Sequence, residues 1–120
     1  MAWKTSGSKF HNQKTKVGNR TFDSRKEARR YRELLLLQQA GEISGLRCQV
    51  EYELIPSMRY RDPVTRRMRT IRGAKYIADF VYYDSGNRLI VEDVKGKRTP
   101  EYRLKYKLMY WLNNILIRET

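Results

Sequence analysis

The sequence predicts an α/β domain: a central mixed β-sheet with a helix on each face. Three observations carry that expectation. Apolar residues recur at helical spacing near both ends, at Ala28, Tyr31, Leu34 and Leu35 (with Gln38 on the same stripe) and at Tyr102, Tyr106, Met109 and Leu112. Between them, segments 75–83 (KYIADFVYY) and 88–95 (RLIVEDVK) are apolar on both faces, as strands in the middle of a covered sheet are. The turn Asp84-Ser85-Gly86-Asn87 joins the two as a hairpin.

Taken in order, residues 1–22 are polar, basic and without period, and read as a basic N-terminal arm with a short strand at its end. Residues 23–120 read as a single domain. Asp23-Ser24 opens the first helix, with Ser24 and Glu27 spaced as a capping box, and Gly41 stops it. Leu46, Cys48, Val50, Tyr52 and Leu54 alternate with polar residues, which predicts a strand with one buried and one wet face, ended by Pro56. Asp62-Pro63 marks a turn inside 58–72, so this stretch reads as a basic hairpin. Thr99-Pro100 starts the second helix, Thr as cap and Pro in the first turn. Asn113-Asn114 interrupts it, and Ile115-Leu116-Ile117 is a short last strand.

The charge narrows the function class. Lys and Arg number 26 against 13 Asp and Glu, a net charge of +13. So much self-repulsion in 120 residues implies a polyanionic partner, nucleic acid first. The charge clusters: residues 1–33 hold ten basic residues against three acids, 59–75 seven against Asp62, and 95–107 six against Glu101. Three such segments could converge on one surface or remain separate solvated patches. The single cysteine, Cys48, excludes an internal disulfide framework and Cys-cluster zinc sites. The single histidine, His11, makes a His-based catalytic triad a poor expectation and suits a phosphate contact in the arm. Trp3, Trp111 and the tyrosines suit core or interface. No apolar run approaches the ~20 residues of a membrane span, and the basic start lacks an apolar signal core. The expectation is a soluble, intracellular domain.

The chemistry is signalled by carboxylates inside apolar strands. Asp79 lies in Tyr76-Ile77-Ala78-Asp79-Phe80, and Glu92-Asp93 lie in Leu89-Ile90-Val91-Glu92-Asp93-Val94. Burying an ionised carboxylate without a partner costs several kcal/mol, so something positive must stand between the strands. A divalent cation with oxygen ligands supplies it. An ion pair to Lys95 or a nearby arginine is the purely structural alternative. On a strand Lys95 shares a face with Asp93, where an ammonium can stabilise a forming hydroxide or a phosphate oxygen. Hairpin register decides the partner of Asp79. A two- or four-residue turn sets Glu92 opposite it, and a three-residue Ser85-Gly86-Asn87 loop sets Asp93 there. Glu27 shares a helical face with Tyr31 and Leu34 and points toward the sheet, serving the cap or the site, whereas Glu33 lies on a solvated face.

Tyr76-Ile77-Ala78-Asp79-Phe80 followed by Val91-Glu92-Asp93-Val94-Lys95-Gly96 resembles the PD-(D/E)XK nuclease superfamily, with Ala78-Asp79 for Pro-Asp and Asp93-Val94-Lys95 for (D/E)-x-K. Phe22-Asp23-Ser24, Lys26 to Tyr31, Ala40 to Ile43 and Thr99 to Lys105 are similar to a small phage-encoded family within it. The resemblance, over about residues 9–120, implies a restriction-endonuclease-like core: helix, three-stranded hairpin sheet, helix, short strand. It implies a metal-dependent endodeoxyribonuclease. Asp79, Asp93 and the Val94 carbonyl would hold Mg2+, or Mn2+ in its place, and Glu27 would bind a second metal or orient a water. Lys95 would stabilise the nucleophile. It further implies a homodimeric Holliday-junction resolvase of a phage, acting on four-way or other branched DNA in the bacterial cytoplasm. Lys14 and Lys16 of the arm and Arg59, Arg61, Arg66, Arg67 and Arg69 of the basic hairpin are expected to hold phosphates. Lys97, Arg103 and Lys105 by the second helix are expected to do the same. A nicking or end-processing nuclease, and a non-catalytic nucleic-acid-binding protein, are the alternatives.

Overall fold

The computed structural model describes residues 14–18, 20–95 and 97–120. Arm residues 1–13, with Trp3 and His11, and Gly96 of the motif lie outside the described residues. Among the described residues ten elements follow in order: β1 (Thr15–Val17), β2 (Arg20–Phe22), α1 (Arg25–Gln39), β3 (Ser44–Ile55), β4 (Met58–Arg61), β5 (Met68–Ile71), β6 (Ala74–Tyr83), β7 (Leu89–Asp93), α2 (Pro100–Asn113) and β8 (Arg118–Glu119). The central sheet is mixed, in the order β3-β6-β7-β8. β3, β6 and β7 run antiparallel, and β8 lies parallel to β7. The expected α/β class, with a mixed sheet and two helices, is present.

Local chemistry sets the helices where the sequence placed them. Ser24 Oγ accepts the Glu27 N–H at 3.1 Å, and Gly41 at φ +79° stands just past the last turn of α1. Thr99 Oγ1 accepts the Tyr102 N–H at 3.1 Å, ahead of Pro100. The left-handed Asn114 closes α2. Each helix covers one face of the sheet. Phe22, Ala28, Leu34, Ile43, Phe80 and Tyr82 form the core under α1. Leu54, Tyr76, Ala78, Val81, Val91, Tyr102, Met109 and Ile117 form the core under α2. The far end of the arm is folded: β1 and β2 pair as a hairpin, and the Phe22 ring lies 4.9 Å from Tyr31.

Three expectations need correction. β3 alternates in burial as expected, but its buried residues do not all lie on one face. Leu46 and Cys48 pack under α1, while Val50, Tyr52 and Leu54 pack under α2, although all are even-numbered. An uninterrupted strand puts such residues on one side. The switch falls at Gln49, whose backbone is left-handed at φ +53°. β6 switches at the same row, with Ala78 under α2 and Phe80 under α1, so Asp79 sits at the changeover. The last strand also slips. Ile115 and Ile117 pack against the α2 core, and Arg118–Glu119 make the pairing with Glu92 and Asp93. Leu112, expected in the apolar stripe of α2, is exposed.

β4 and β5 form their own two-stranded ribbon, as expected of the basic hairpin. All eight strand residues are exposed. At its base Gly73 is obligatory, since a Cβ there would lie 2.2 Å from the Ile55 carbonyl oxygen.

Candidate functional site

The β6–β7 turn settles the register. Asp84 N–H donates to the Arg88 carbonyl at 2.9 Å around a Ser85-Gly86-Asn87 loop, and Asn87 takes φ +61°. Phe80 therefore faces Glu92, and the next row sets Asp79 across from Asp93. Regular pairing stops at the Phe80–Glu92 row. Beyond it the Asp79 carboxylate fills the gap, its Oδ2 accepting the Val94 N–H at 2.8 Å.

Asp93 and Lys95 share a face, as the strand period requires. Lys95 Nζ lies 3.0 Å from Asp93 Oδ1 and 3.8 Å from the centroid of the Tyr102 ring. The buried Tyr76 hydroxyl donates to Asp93 Oδ2 at 2.6 Å. These groups line a cleft of about 440 Å³ together with Lys75, Thr99 and Lys105. Lys105 also pairs with Glu101 at 2.9 Å. The β8 backbone fixes the other edge, with Thr120 N–H donating to the Asp93 carbonyl and Lys95 N–H to the Thr120 carbonyl, both at 3.0 Å.

Glu27 is buried and points to the sheet. Its carboxylate accepts from Gln49 Nε2 at 2.9 Å, in an adjoining cleft lined by Arg20, Asp23 and Cys48. Its backbone N–H serves the Ser24 cap, as any residue at that position would, while its side chain goes to Gln49 rather than back to Ser24. Burial pushes the Glu27 carboxyl up to about 7, helped by the charges of Asp23 and Asp93. Burial, then the charges of Asp93 and Glu27, push Asp79 up to about 8, against the pull of the Val94 N–H. Burial and the bond to Asp93 push the Tyr76 hydroxyl up as well. The three carboxylates thus crowd one another electrostatically without enough positive charge to balance them.

Glu92 behaves otherwise. Wholly buried on the α1 face, it holds Arg30 by two bonds, Nε at 2.5 Å and Nη2 at 3.0 Å. It also accepts from the Tyr82 hydroxyl at 2.5 Å and the Thr120 hydroxyl at 3.1 Å.

A PD-(D/E)XK-like reading implies a divalent cation. Among the described residues, no three Asp, Glu, His or Cys side chains converge into a ready cage. The donor chemistry nonetheless fits Mg2+, which keeps several waters and takes one or two carboxylates rather than a full protein shell. Asp79 and Asp93 offer hard oxygens from adjacent strands, and their mutual crowding is what a cation relieves.

A sequence family described as "Protein of unknown function (DUF1064)" matches residues 7–115, nearly the whole chain. The chain belongs to the DUF1064 family. No curated protein and no solved structure matches it. In this DUF1064 chain the basic residues expected to hold phosphates are all on the surface or at its clefts. Lys14, Lys16, Arg59, Arg61, Arg66, Arg67, Arg69, Lys97 and Arg103 are exposed, and Lys105 is half-buried in the Asp93 cleft. Three residues of the site were missed from the sequence. Gln49 holds Glu27, Tyr76 holds Asp93, and Lys26 Nζ donates to the Lys95 carbonyl at 2.7 Å. Tyr76 was one of three tyrosines in β6, with nothing in the pattern to set it apart. Lys26 was one basic residue among many. Among the described residues, no helix is long and apolar enough to cross a membrane.

Proposed function

We propose that this protein is a divalent-metal-dependent DNA endonuclease with a restriction-endonuclease-like core, a member of the PD-(D/E)XK superfamily. One observation carries the reading: Asp79 and Asp93 come together in the row beyond Phe80–Glu92, where β6 and β7 part, and Asp93 opens with Lys95 on a cleft. The order of helix, three antiparallel strands, helix and parallel strand supports the same core.

Asp79, Asp93 and the Val94 carbonyl would hold Mg2+ or Mn2+. A cation there supplies Lewis acidity toward a phosphodiester and its attacking water. The Tyr76 hydroxyl keeps Asp93 in one rotamer. Glu27, with a carboxyl near neutrality, is suited to take the proton of the water that attacks phosphorus. Lys95 sheds its Asp93 contact to meet the negative charge that grows on the phosphate as the P–O bond to the leaving strand breaks. The basic surface gives salt-dependent affinity for backbone phosphates.

Branched DNA is the proposed substrate, with a four-way junction first, cut by a homodimer of a phage resolvase type. The basic residues spread over the arm, the ribbon and α2 suit backbone phosphates, which favours recognition by DNA shape over sequence. Leu104, Tyr110 and Trp111 stand exposed on α2 and offer an apolar face for pairing. The test is cleavage of four-way, flap, nicked and linear DNA with Mg2+ or EDTA. The reading predicts Mg2+-dependent strand scission, greatest on the junction. Scission confined to nicked or end-bearing DNA would instead assign an end-processing nuclease. A non-catalytic binding protein is favoured by one observation, the Lys95–Asp93 ion pair at 3.0 Å, and predicts tight binding with no scission in any metal.

A further inference from the structure

The β4–β5 ribbon ends in a tip whose chemistry differs from an ordinary solvated turn. Asp62 organises it. Asp62 Oδ1 accepts the N–H of Val64 at 2.8 Å and of Thr65 at 3.1 Å. Asp62 N–H donates to the Arg67 carbonyl, and Arg66 N–H to the Asp62 carbonyl, both at 2.9 Å. Arg66 closes the loop with a left-handed backbone at φ +67°, and its carbonyl accepts from Arg61 Nη1 at 2.7 Å. A side-chain-capped, doubly bonded loop of this kind holds one shape.

What that shape presents is Val64, 86% exposed behind Pro63 at the end of the ribbon. Turn tips favour Gly, Asn, Asp and Ser, and a β-branched apolar residue held into water gains nothing there on its own. The surroundings identify its partner. Six arginines lie within 58–72 against the single acid Asp62, whose own contact is a long 4.0 Å pair with Arg69. A second copy of so basic a ribbon would be repelled, whereas a polyanion would be drawn in. A two-stranded ribbon fits a DNA groove, and apolar wedges pressed between base steps are a known way to bend a duplex.

We propose that the β4–β5 ribbon lies in a groove of duplex DNA flanking the cut and drives Val64 against the base stack, unstacking one step. This rests on the DNA-nuclease reading for its partner but not on the metal site. The Arg59 and Arg67 guanidiniums neutralise phosphates beside the groove. Pro63 and the Asp62 turn keep Val64 forward, so that little ordering accompanies insertion.

The test uses the full chain in EDTA with duplex and four-way-junction DNA carrying 2-aminopurine at successive steps. The parent should raise 2-aminopurine fluorescence at one or a few positions. Val64→Ser should remove that rise with the salt slope of binding unchanged. Arg59→Ala with Arg67→Ala should lower the slope of log affinity against log salt by about 1.8, at ~0.9 per lost phosphate contact. A saturated parent complex with no fluorescence rise, or a rise that persists in Val64→Ser, overturns the wedge. So does a loss of dimer mass in Val64→Ser at sedimentation equilibrium with the DNA response intact, which would make the tip a contact between copies. Adding Mg2+ separates the two ideas. Scission without unstacking leaves the nuclease reading and removes the wedge, and unstacking without scission does the reverse.

Discussion

Glu92 and Asp93 are neighbours on β7, both buried, and they point to opposite faces of the sheet. On the α1 face, Glu92 meets a guanidinium, a phenol and a hydroxyl, so its charge is matched and its lone pairs are used. On the α2 face, Asp93 has one ammonium and one phenol, and shares its surroundings with the raised carboxyls of Asp79 and Glu27. The first arrangement is complete within the protein. The second carries more negative charge than the protein neutralises and opens on a cleft, as a site shaped for an external cation does. On the proposed reading, the same residue class in consecutive positions serves the fold on one face and chemistry on the other.

The sharpest way to break this comparison is to exchange the consequences of losing each charge. Glu92→Gln leaves the Arg30 guanidinium facing a neutral amide inside the core. Breaking a buried pair costs about 3 kcal/mol or more, a fall of roughly 10 °C in Tm for a domain of this size. Asp93→Asn should leave Tm near the parent value, because it relieves crowding as it loses the Lys95 contact. Thermal melts of both variants decide it; equal losses would mean that the two carboxylates are equivalent structural pairs.

Next in size is the loss of Lys95. Lys95→Ala should lower cleavage by about 10²–10³-fold, the usual scale for removing one preorganised charge stabiliser. DNA affinity should change by one phosphate contact at most, a salt slope lower by about 0.9. Single-turnover cleavage measured beside a binding titration reads both, and near-parental cleavage would remove Lys95 from the mechanism.

The pH dependence is smaller and has a definite sign. Folded values of about 8 for Asp79 and about 7 for Glu27 exceed the ordinary 3.8 and 4.5. A raised carboxyl contributes stability that is full below its unfolded value and is lost as pH rises through its folded value. The metal-free protein should therefore lose stability between about pH 4 and pH 8. Asp79→Asn should flatten that fall, and Mg2+ should raise Tm near pH 8 but not near pH 5. Melts across that range, with EDTA and with Mg2+, measure it. A metal-free profile that rises with pH would contradict the crowding.

Gln49 gives the smallest effect. Its left-handed backbone in mid-strand costs about 1 kcal/mol that glycine would not incur. Gln49→Gly should raise Tm by a few degrees while cutting cleavage, because Glu27 loses its hydrogen-bond donor. Unchanged cleavage would make the Gln49–Glu27 bond a matter of packing alone.

These contrasts also mark what the sequence could reveal. Ser24, Thr99-Pro100 and Gly41 announce both helices because caps act within one turn of chain. The apolar runs of β6 and β7 announce central strands because both faces are covered. The register was open, since it depends on whether Asn87 adopts φ +61°, which Asn permits but does not require. The face switch at Gln49 and Asp79 was invisible, because the alternation from Leu46 to Leu54 runs through it without a break in pattern. Only the left-handed Gln49 and the packing of two helices on opposite faces divide that run. The final pairing slipped from 115–117 to Arg118–Glu119 because Ile115 and Ile117 are held by the α2 core, which an apolar triplet alone does not distinguish from a strand.

The most direct measurement is single-turnover cleavage of a four-way junction in Mg2+ by the parent and by Asp93→Asn, each at saturating protein and with a matched melt. The account predicts scission by the parent, none in EDTA, and a loss of about 10³-fold or more in Asp93→Asn with the fold and the DNA complex retained. Equal scission by both proteins, or a parent that binds the junction and cuts no DNA in any divalent metal, would contradict it.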